Sequence, residues 1–273
     1  MATDDAFAGA AVGAPVSGTP RRITTAEFEW DSILGFTDKE VYNPAQLVYG
    51  LPGRGKTTYV AGAVAAGLKP LILDCDLGGT FTLRGQHIPR IGIESWPKVE
   101  YTVQQLVDGK ARNYDVIGLD TASMLQDTCW NDVTGNTGRG RGKDVRQEWQ
   151  VVASRMHYVI RQLKLTGVPL VVLAHERQYK DDEGKLTGVA PALTPAVYKS
   201  ISALVELIGR LMVVHVPGPN GKRQPIRRLW VGEHDIYEAK LRNIPLPEYV
   251  DNPTFAGVWA KIVGKESKNA KKA

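Results

Sequence analysis

The chain has 273 residues, 43% of them hydrophobic, which is ample for a large core. Its 34 Lys and Arg against 29 Asp and Glu give a formal charge of +5, a mild excess that permits a nucleic-acid partner without requiring one. No apolar run approaches the roughly 20 residues that span a bilayer, so no membrane association is expected. Two cysteines, Cys75 and Cys129, stand outside any metal-ligand spacing and fit a reducing, cytoplasmic location.

Residues 1–24 are mostly Ala, Gly, Pro, Ser and Thr with Asp4 and Asp5, lack the basic start and apolar centre of a secretory signal, and read as a flexible tail. The stretch 25–43, with Phe28, Trp30 and Phe36, reads as a cover for the core. Strand and helix then alternate: strand at 45–49, helix at 56–66 ended by Gly67, strand at 70–74, short helix at 103–108 and strand at 115–120. Val145, Trp149, Val152, Met156, Val159 and Leu163 recur at three- and four-residue steps and predict a helix over 144–165. A buried strand follows at 170–173. Such alternation predicts a mainly parallel central sheet flanked by helices. Beyond it, strands at 205–216 and 225–231 flank a turn containing Asn220 and Gly221, and a further strand at 236–239 completes a C-terminal antiparallel extension. One domain over 25–260, closed by a basic tail at 261–273, accounts for the pattern.

The most informative run is QLVYGLPGRGKTTYV at 46–60, in which Gly50, Gly55, Lys56 and Thr57 complete the pattern GxxxxGK followed by Ser or Thr, between a strand and a helix. A triphosphate is a concentrated anion. The loop around it must turn tightly and present inward N–H groups with no side chain in the way, which suits Gly50, Leu51, Pro52, Gly53, Arg54 and Gly55. Lys56 is placed to reach the β and γ phosphates and the Thr57 hydroxyl to ligate Mg2+, with Thr58 following at the helix start. Asp120 closes the apolar strand YDVIGLDTA, where a carboxylate holds the Mg2+ shell beside Thr57, although Asp120 or Thr121 could instead cap the next helix. Asp120 is followed by Thr121 rather than an acid, which disfavours a general base at that place. The base is sought instead in PLILDCD: Asp76 to orient the attacking water, with Asp74 as the alternative. His175, at the end of the next strand, is a candidate γ-phosphate sensor.

The order GLPGRGKTT, LILDCD, YDVIGLDTASML, VPLVVLAHE and EAKLRN resembles the ATPase core of RecA-type recombinases, most closely the small phage-encoded RecA-core proteins that accompany single-strand annealing. The resemblance runs from Gln46 to Asn243. It implies a P-loop NTPase fold of RecA type, ATP and Mg2+ as cofactors, and an inter-subunit site in a ring or filament. It also implies that Asp76 stands where the family keeps its catalytic acid, usually glutamate, and His175 where RecA keeps a glutamine sensor. Lys240 and Arg242 would then reach a neighbour's γ phosphate as a finger, and FAGA at 7–10 fits the FxxA peptide that relatives insert into a neighbouring subunit.

Two stretches match the DNA-binding loops of that family. Residues 127–143 contain Trp130, suited to base stacking, and Arg139, Arg141 and Lys143, suited to tracking a phosphate backbone. Residues 177–199 contain Arg177, Lys180 and Lys185, diluted by Asp181, Asp182 and Glu183. The expected function is therefore an ATP-hydrolysing, single-stranded-DNA-binding recombination protein that promotes annealing or strand exchange, alone or with a separate annealing or single-strand-binding protein. A hexameric helicase motor and a nucleotide-switched loader share the same core. No base-reading motif separates ATP from GTP.

Overall fold

The structure, a computed structural model, describes residues 44–78, 82–135, 145–218 and 221–263. The expected tail 1–24, the cover at 25–43, the FAGA segment and all but the start of the basic tail lie outside these residues.

Ten strands form one connected sheet among the described residues. In chain order these are β1 (Gln46–Gly50), β2 (Pro70–Asp74), β3 (Arg90–Gly92), β4 (Val116–Asp120), β5 (Leu170–Lys180), β6 (Leu186–Pro191), β7 (Leu207–Pro217), β8 (Arg223–Trp230), β9 (Lys240–Leu241) and β10 (Tyr249–Asp251). The helices are α1 (Lys56–Ala61), α2 (Trp96–Val107), α3 (Ala122–Thr134), α4 (Arg146–Leu165), α5 (Pro195–Leu204) and α6 (Phe255–Ile262). The lateral order is β10-β8-β7-β1-β5-β4-β2-β3, with β6 on β5 and β9 on β7. From β7 to β3 every pairing is parallel, whereas β8, β10, β6 and β9 pair antiparallel. The fold is thus the expected α/β one, a mainly parallel central sheet flanked by helices with an antiparallel C-terminal extension.

The parallel strands are apolar on both faces, so both faces must be covered. Leu47, Leu73, Leu119 and Val172 face a core shared with α2 to α5. Val48, Val171, Leu173 and Leu229 face the other way, onto Tyr59 and Val60 of α1 and Phe255 and Val258 of α6. Each such aliphatic side chain contributes about 1.5–3 kcal/mol on burial, so the sheet is held from both sides.

Several elements differ from the sequence expectation. The helix expected over 56–66 stops at Ala61, and a single 3-10 turn, Val64–Ala66, leads to Gly67 at φ 76°. Gly62 intervenes, a poor helix former, and a Cβ there would press within 3.3 Å of Thr254. The stretch 122–134, half of it expected as part of a loop, is α3: the Thr121 hydroxyl accepts from Met124 N at 3.3 Å as its N-cap, and Leu125 and Cys129 bury one side. The strand expected over 170–173 runs on to Lys180 and folds back as β6, so the supposed second loop is chiefly a β-hairpin. Its turn is built by Asp181, whose Oδ1 accepts from the backbone N–H of Glu183 and Lys185, with Gly184 at φ 80°. The strand expected at 236–239 is only an isolated bridge, Val189 to Tyr237.

Candidate functional site

The carboxyl ends of β1, β5, β4 and β2 share one edge of the sheet, which is where ligands bind in open α/β folds. Register places His175 level with Gly50, and Asp74 level with Asp120. Between these strand ends and the start of α1 lies a cavity of about 370 Å³ whose lining includes Gly55, Lys56, Thr57, Asp76, Asp120 and His175. Most of the residues singled out for phosphate chemistry therefore meet in one place.

The loop has the backbone that such a site demands. Gly53 and Gly55 have φ of 74° and 92°, a region costly for any side chain with a Cβ. At Gly50 the main chain passes so near β7 that a Cβ would collide with the Leu211 carbonyl oxygen. The buried Lys56 donates from Nζ to the carbonyls of Gly50 at 2.9 Å and Leu51 at 3.2 Å, which holds the ammonium across the loop. Burial depresses its pKa, and the carboxylates of Asp120 and Asp76 oppose that shift. Leu51, Pro52, Arg54 and Thr58 complete the loop; of these Pro52 and Thr58 line the cavity.

Thr57 Oγ1 donates to Asp120 Oδ2 at 2.6 Å. Two hard oxygen groups on one side of the loop suit Mg2+, which Thr57 and Asp120 would hold. Burial pushes the Asp120 pKa up to about 6, with the Thr57 hydrogen bond working against it and neighbouring Asp74 adding to it. Thr121, not Asp120, caps α3, so the aspartate is not consumed by helix capping. The Asp120–Thr121 peptide is cis.

The two candidate bases separate clearly. Asp74 is fully buried and committed: Oδ1 accepts from the N–H of Asp76 and Leu77, and Oδ2 accepts from Arg90 Nε at 2.6 Å. Asp76 is exposed and faces the cavity. His175 faces it too. Its backbone N–H donates to Ser123 Oγ at 3.0 Å, while its buried Nδ1 has no hydrogen-bond partner among the described residues. Burial and the Lys56 cation hold its pKa below the usual histidine range.

One residue further, Glu176 turns to the opposite face and meets Arg210 of β7 in a two-pronged pair, 2.9 Å to Nε and 2.9 Å to the guanidinium end. Arg210 is paired in register with Tyr49, so the ion pair links β5 to β7 just where β1 ends and the phosphate loop leaves the sheet. The Arg210 guanidinium also lies 4.3 Å above the Tyr237 ring.

Other candidates are not brought to the cavity. Lys240 pairs with Ile208 near the start of β7, at the amino edge of the sheet, and its Nζ donates to the carbonyls of Ser202 at 2.5 Å and Val205 at 2.7 Å. It closes the C-terminal end of α5 and is not free to extend. Arg242 is exposed, two residues on, at that same edge. Trp130 lies in α3, half-buried, with its ring stacked on Trp149 at 4.1 Å and 17° rather than standing free for a base. Arg139, Arg141 and Lys143 lie outside the described residues. Arg177, Lys180 and Lys185 are exposed on the β5–β6 hairpin, together with Tyr179. The cavity also gains a residue that sequence reasoning missed, Arg227 of β8.

Solved structures similar to this chain include a KaiC-like protein from the hyperthermophilic archaeon Pyrococcus horikoshii OT3, at 14% identity over 77% of this chain and 83% of that one, TM-score 0.43. The RadB recombinase is similar at 15% identity over 77% of this chain and 86% of that one, TM-score 0.43. No curated protein matches. A family profile described as AAA domain matches residues 43–243, which takes in the phosphate loop, Asp76, Asp120, His175 and Arg242, and the chain belongs to this AAA domain family of P-loop NTPases.

Proposed function

We propose that the protein is an ATP-hydrolysing, single-stranded-DNA-binding recombination protein that acts as an oligomer to promote annealing or strand exchange. The observation that carries this reading is the continuity of β5: one strand holds His175 in the phosphate cavity and runs without a break into the exposed hairpin bearing Arg177, Tyr179, Lys180 and Lys185. A change at the γ phosphate thus has a direct structural route to an exposed hairpin whose basic and aromatic side chains, interleaved with Asp181, Asp182 and Glu183, offer contacts to a single strand.

In the chemistry proposed, Lys56 and the loop N–H groups fix the phosphates, and Thr57 and Asp120 would hold an Mg2+ that would supply charge neutralisation there. Asp76 orients a water for attack on the γ phosphorus; the P–O bond to the β phosphate breaks, and ADP and phosphate are released. His175 senses which state the site is in. A finger from a neighbouring subunit completes the site. Lys240 and Arg242 sit at the edge of the sheet opposite their own cavity, a placement compatible with service to a neighbour's nucleotide, and Arg242 is the better of the two because Lys240 is tied to α5.

The test is ATP hydrolysis with and without single-stranded DNA over a range of protein concentrations. Stimulation by DNA, specific activity that rises with protein concentration, and loss of that rise in Arg242→Ala are the expected results. Hydrolysis indifferent to DNA would overturn the DNA-dependent reading and leave a nucleotide-switched loader.

A further inference from the structure

We propose that Arg227 is a nucleotide-binding residue of its own subunit, holding the α and β phosphates from the side of the cavity opposite the hydrolytic groups; the inference rests on the nucleotide reading above. Arg227 lies in β8, and strand alternation puts it on the same face as Leu229, which packs on Tyr59 and Val60 of α1. Its side chain runs against the phosphate loop so closely that a Cβ at Gly55 would lie 3.0 Å from its Cδ and 3.1 Å from its Cζ, and closer still to Nε. The φ of 92° requires glycine at position 55, and the Arg227 side chain occupies the space beside it. Arg227 lines the same cavity as Lys56 and Asp120 and is in none of the ion pairs among the described residues. Its neighbour Arg228 has a different commitment, bonded twice to Asp251 at 2.6 and 2.9 Å on the other face.

The position across the sheet assigns the phosphates. Asp120 and His175 come from β4 and β5 and Asp76 from the turn after β2, all on one side of β1, and Arg227 comes from β8, beyond β7 on the other side. Lys56 reaches the β and γ phosphates and the loop N–H groups hold α and β. With the γ phosphate drawn toward the carboxylates and His175, the remainder of the nucleotide leads toward β7 and β8, where a planar guanidinium matches two phosphate oxygens at once. Such a contact is made equally in the ground and transition states, so it sets affinity rather than turnover.

The experiment is calorimetric titration of wild type, Arg227→Ala and Arg227→Lys with ADP and with ATP, alongside steady-state hydrolysis. Arg227→Ala is expected to weaken ADP and ATP binding by the same factor, about tenfold for one charge-assisted contact, to raise KM to match, and to leave kcat unchanged; Arg227→Lys recovers part of the loss. Equal ADP affinity in wild type and Arg227→Ala, or a loss confined to ATP, overturns the assignment. Wild-type protein that binds neither nucleotide overturns the nucleotide reading itself, and this proposal with it.

Discussion

The two edges of the parallel sheet use charge in opposite ways. At the carboxyl edge, Asp76 stays exposed, His175 has a ring nitrogen without a partner among the described residues, and Lys56 and Asp120 are buried with shifted pKa values around an open cavity. At the amino edge, charge is spent on structure. Glu206 accepts from Ala45 N at 2.7 Å and from Lys164 Nζ at 2.6 Å, its backbone carbonyl accepts from Arg242 N, and Lys240 closes the end of α5 beside it. This one knot joins the start of β1 and β7 to the ends of α4 and α5. Polar groups left unsatisfied mark where a ligand belongs, and those fully satisfied mark where the fold is clamped.

Substitution can break that contrast. The largest effect is expected from Lys56→Ala, which removes the charge held over the loop: nucleotide affinity falls by about 3–5 kcal/mol, the cost of losing one partner of a close charge pair, while circular dichroism and the denaturation midpoint stay near wild type. Next comes Glu206→Ala. It strands the Ala45 N–H and the Lys164 ammonium and should cost about 2–4 kcal/mol in urea unfolding, discounted because Lys164 is partly exposed; nucleotide affinity of the folded protein should hardly change. Should Lys56→Ala unfold the chain, or Glu206→Ala abolish binding without loss of stability, the division of labour between the edges is wrong.

The smallest effect sharpens the contrast through pH. Asp120 has a folded pKa raised from 3.8 to about 6, so the folded state holds its proton more tightly than the unfolded one. The sign follows: below pH 4 the group costs nothing, stability is lost as pH rises toward 6, and above that the full penalty applies. Asp120→Asn should therefore stabilise metal-free protein at pH 8 by about 1–3 kcal/mol, with no gain at pH 3.5, while losing Mg2+-dependent hydrolysis. Identical unfolding curves at pH 8 would show that the carboxylate is better solvated than its burial implies.

Sequence reading was strongest where a local rule governs. Strand β2 and the loop between β1 and α1 are bounded by Gly and Pro and carry short apolar runs, and they stand where expected. It was weakest where distant chain decides. Helix α3 looks like a polar loop through Asp127, Asn131 and Asp132, yet Leu125 and Cys129 anchor it to the core. The outward half of β5 carries no apolar signal because its stability comes from pairing with β6. Arg227 escaped notice because its approach to Gly55 exists only through the pairing of β8 on β7 and β7 on β1. The alternation Arg227, Leu229, Val231 was the available clue. Trp130 shows the reverse error: an aromatic in a polar stretch suggested a stacking platform, and its stacking partner is Trp149 of the same chain.

The Glu176–Arg210 pair gives the hairpin its mechanics. By bracing β5 against β7 across the space where β1 has ended, it makes residue 176 a fixed root from which β5 projects like a cantilever. The five steps from His175 to Lys180 span about 16 Å at the rise of a strand. Any tilt of β5 at residue 176 is magnified along that length, so the turn at Asp181 moves farther than the strand does beside His175.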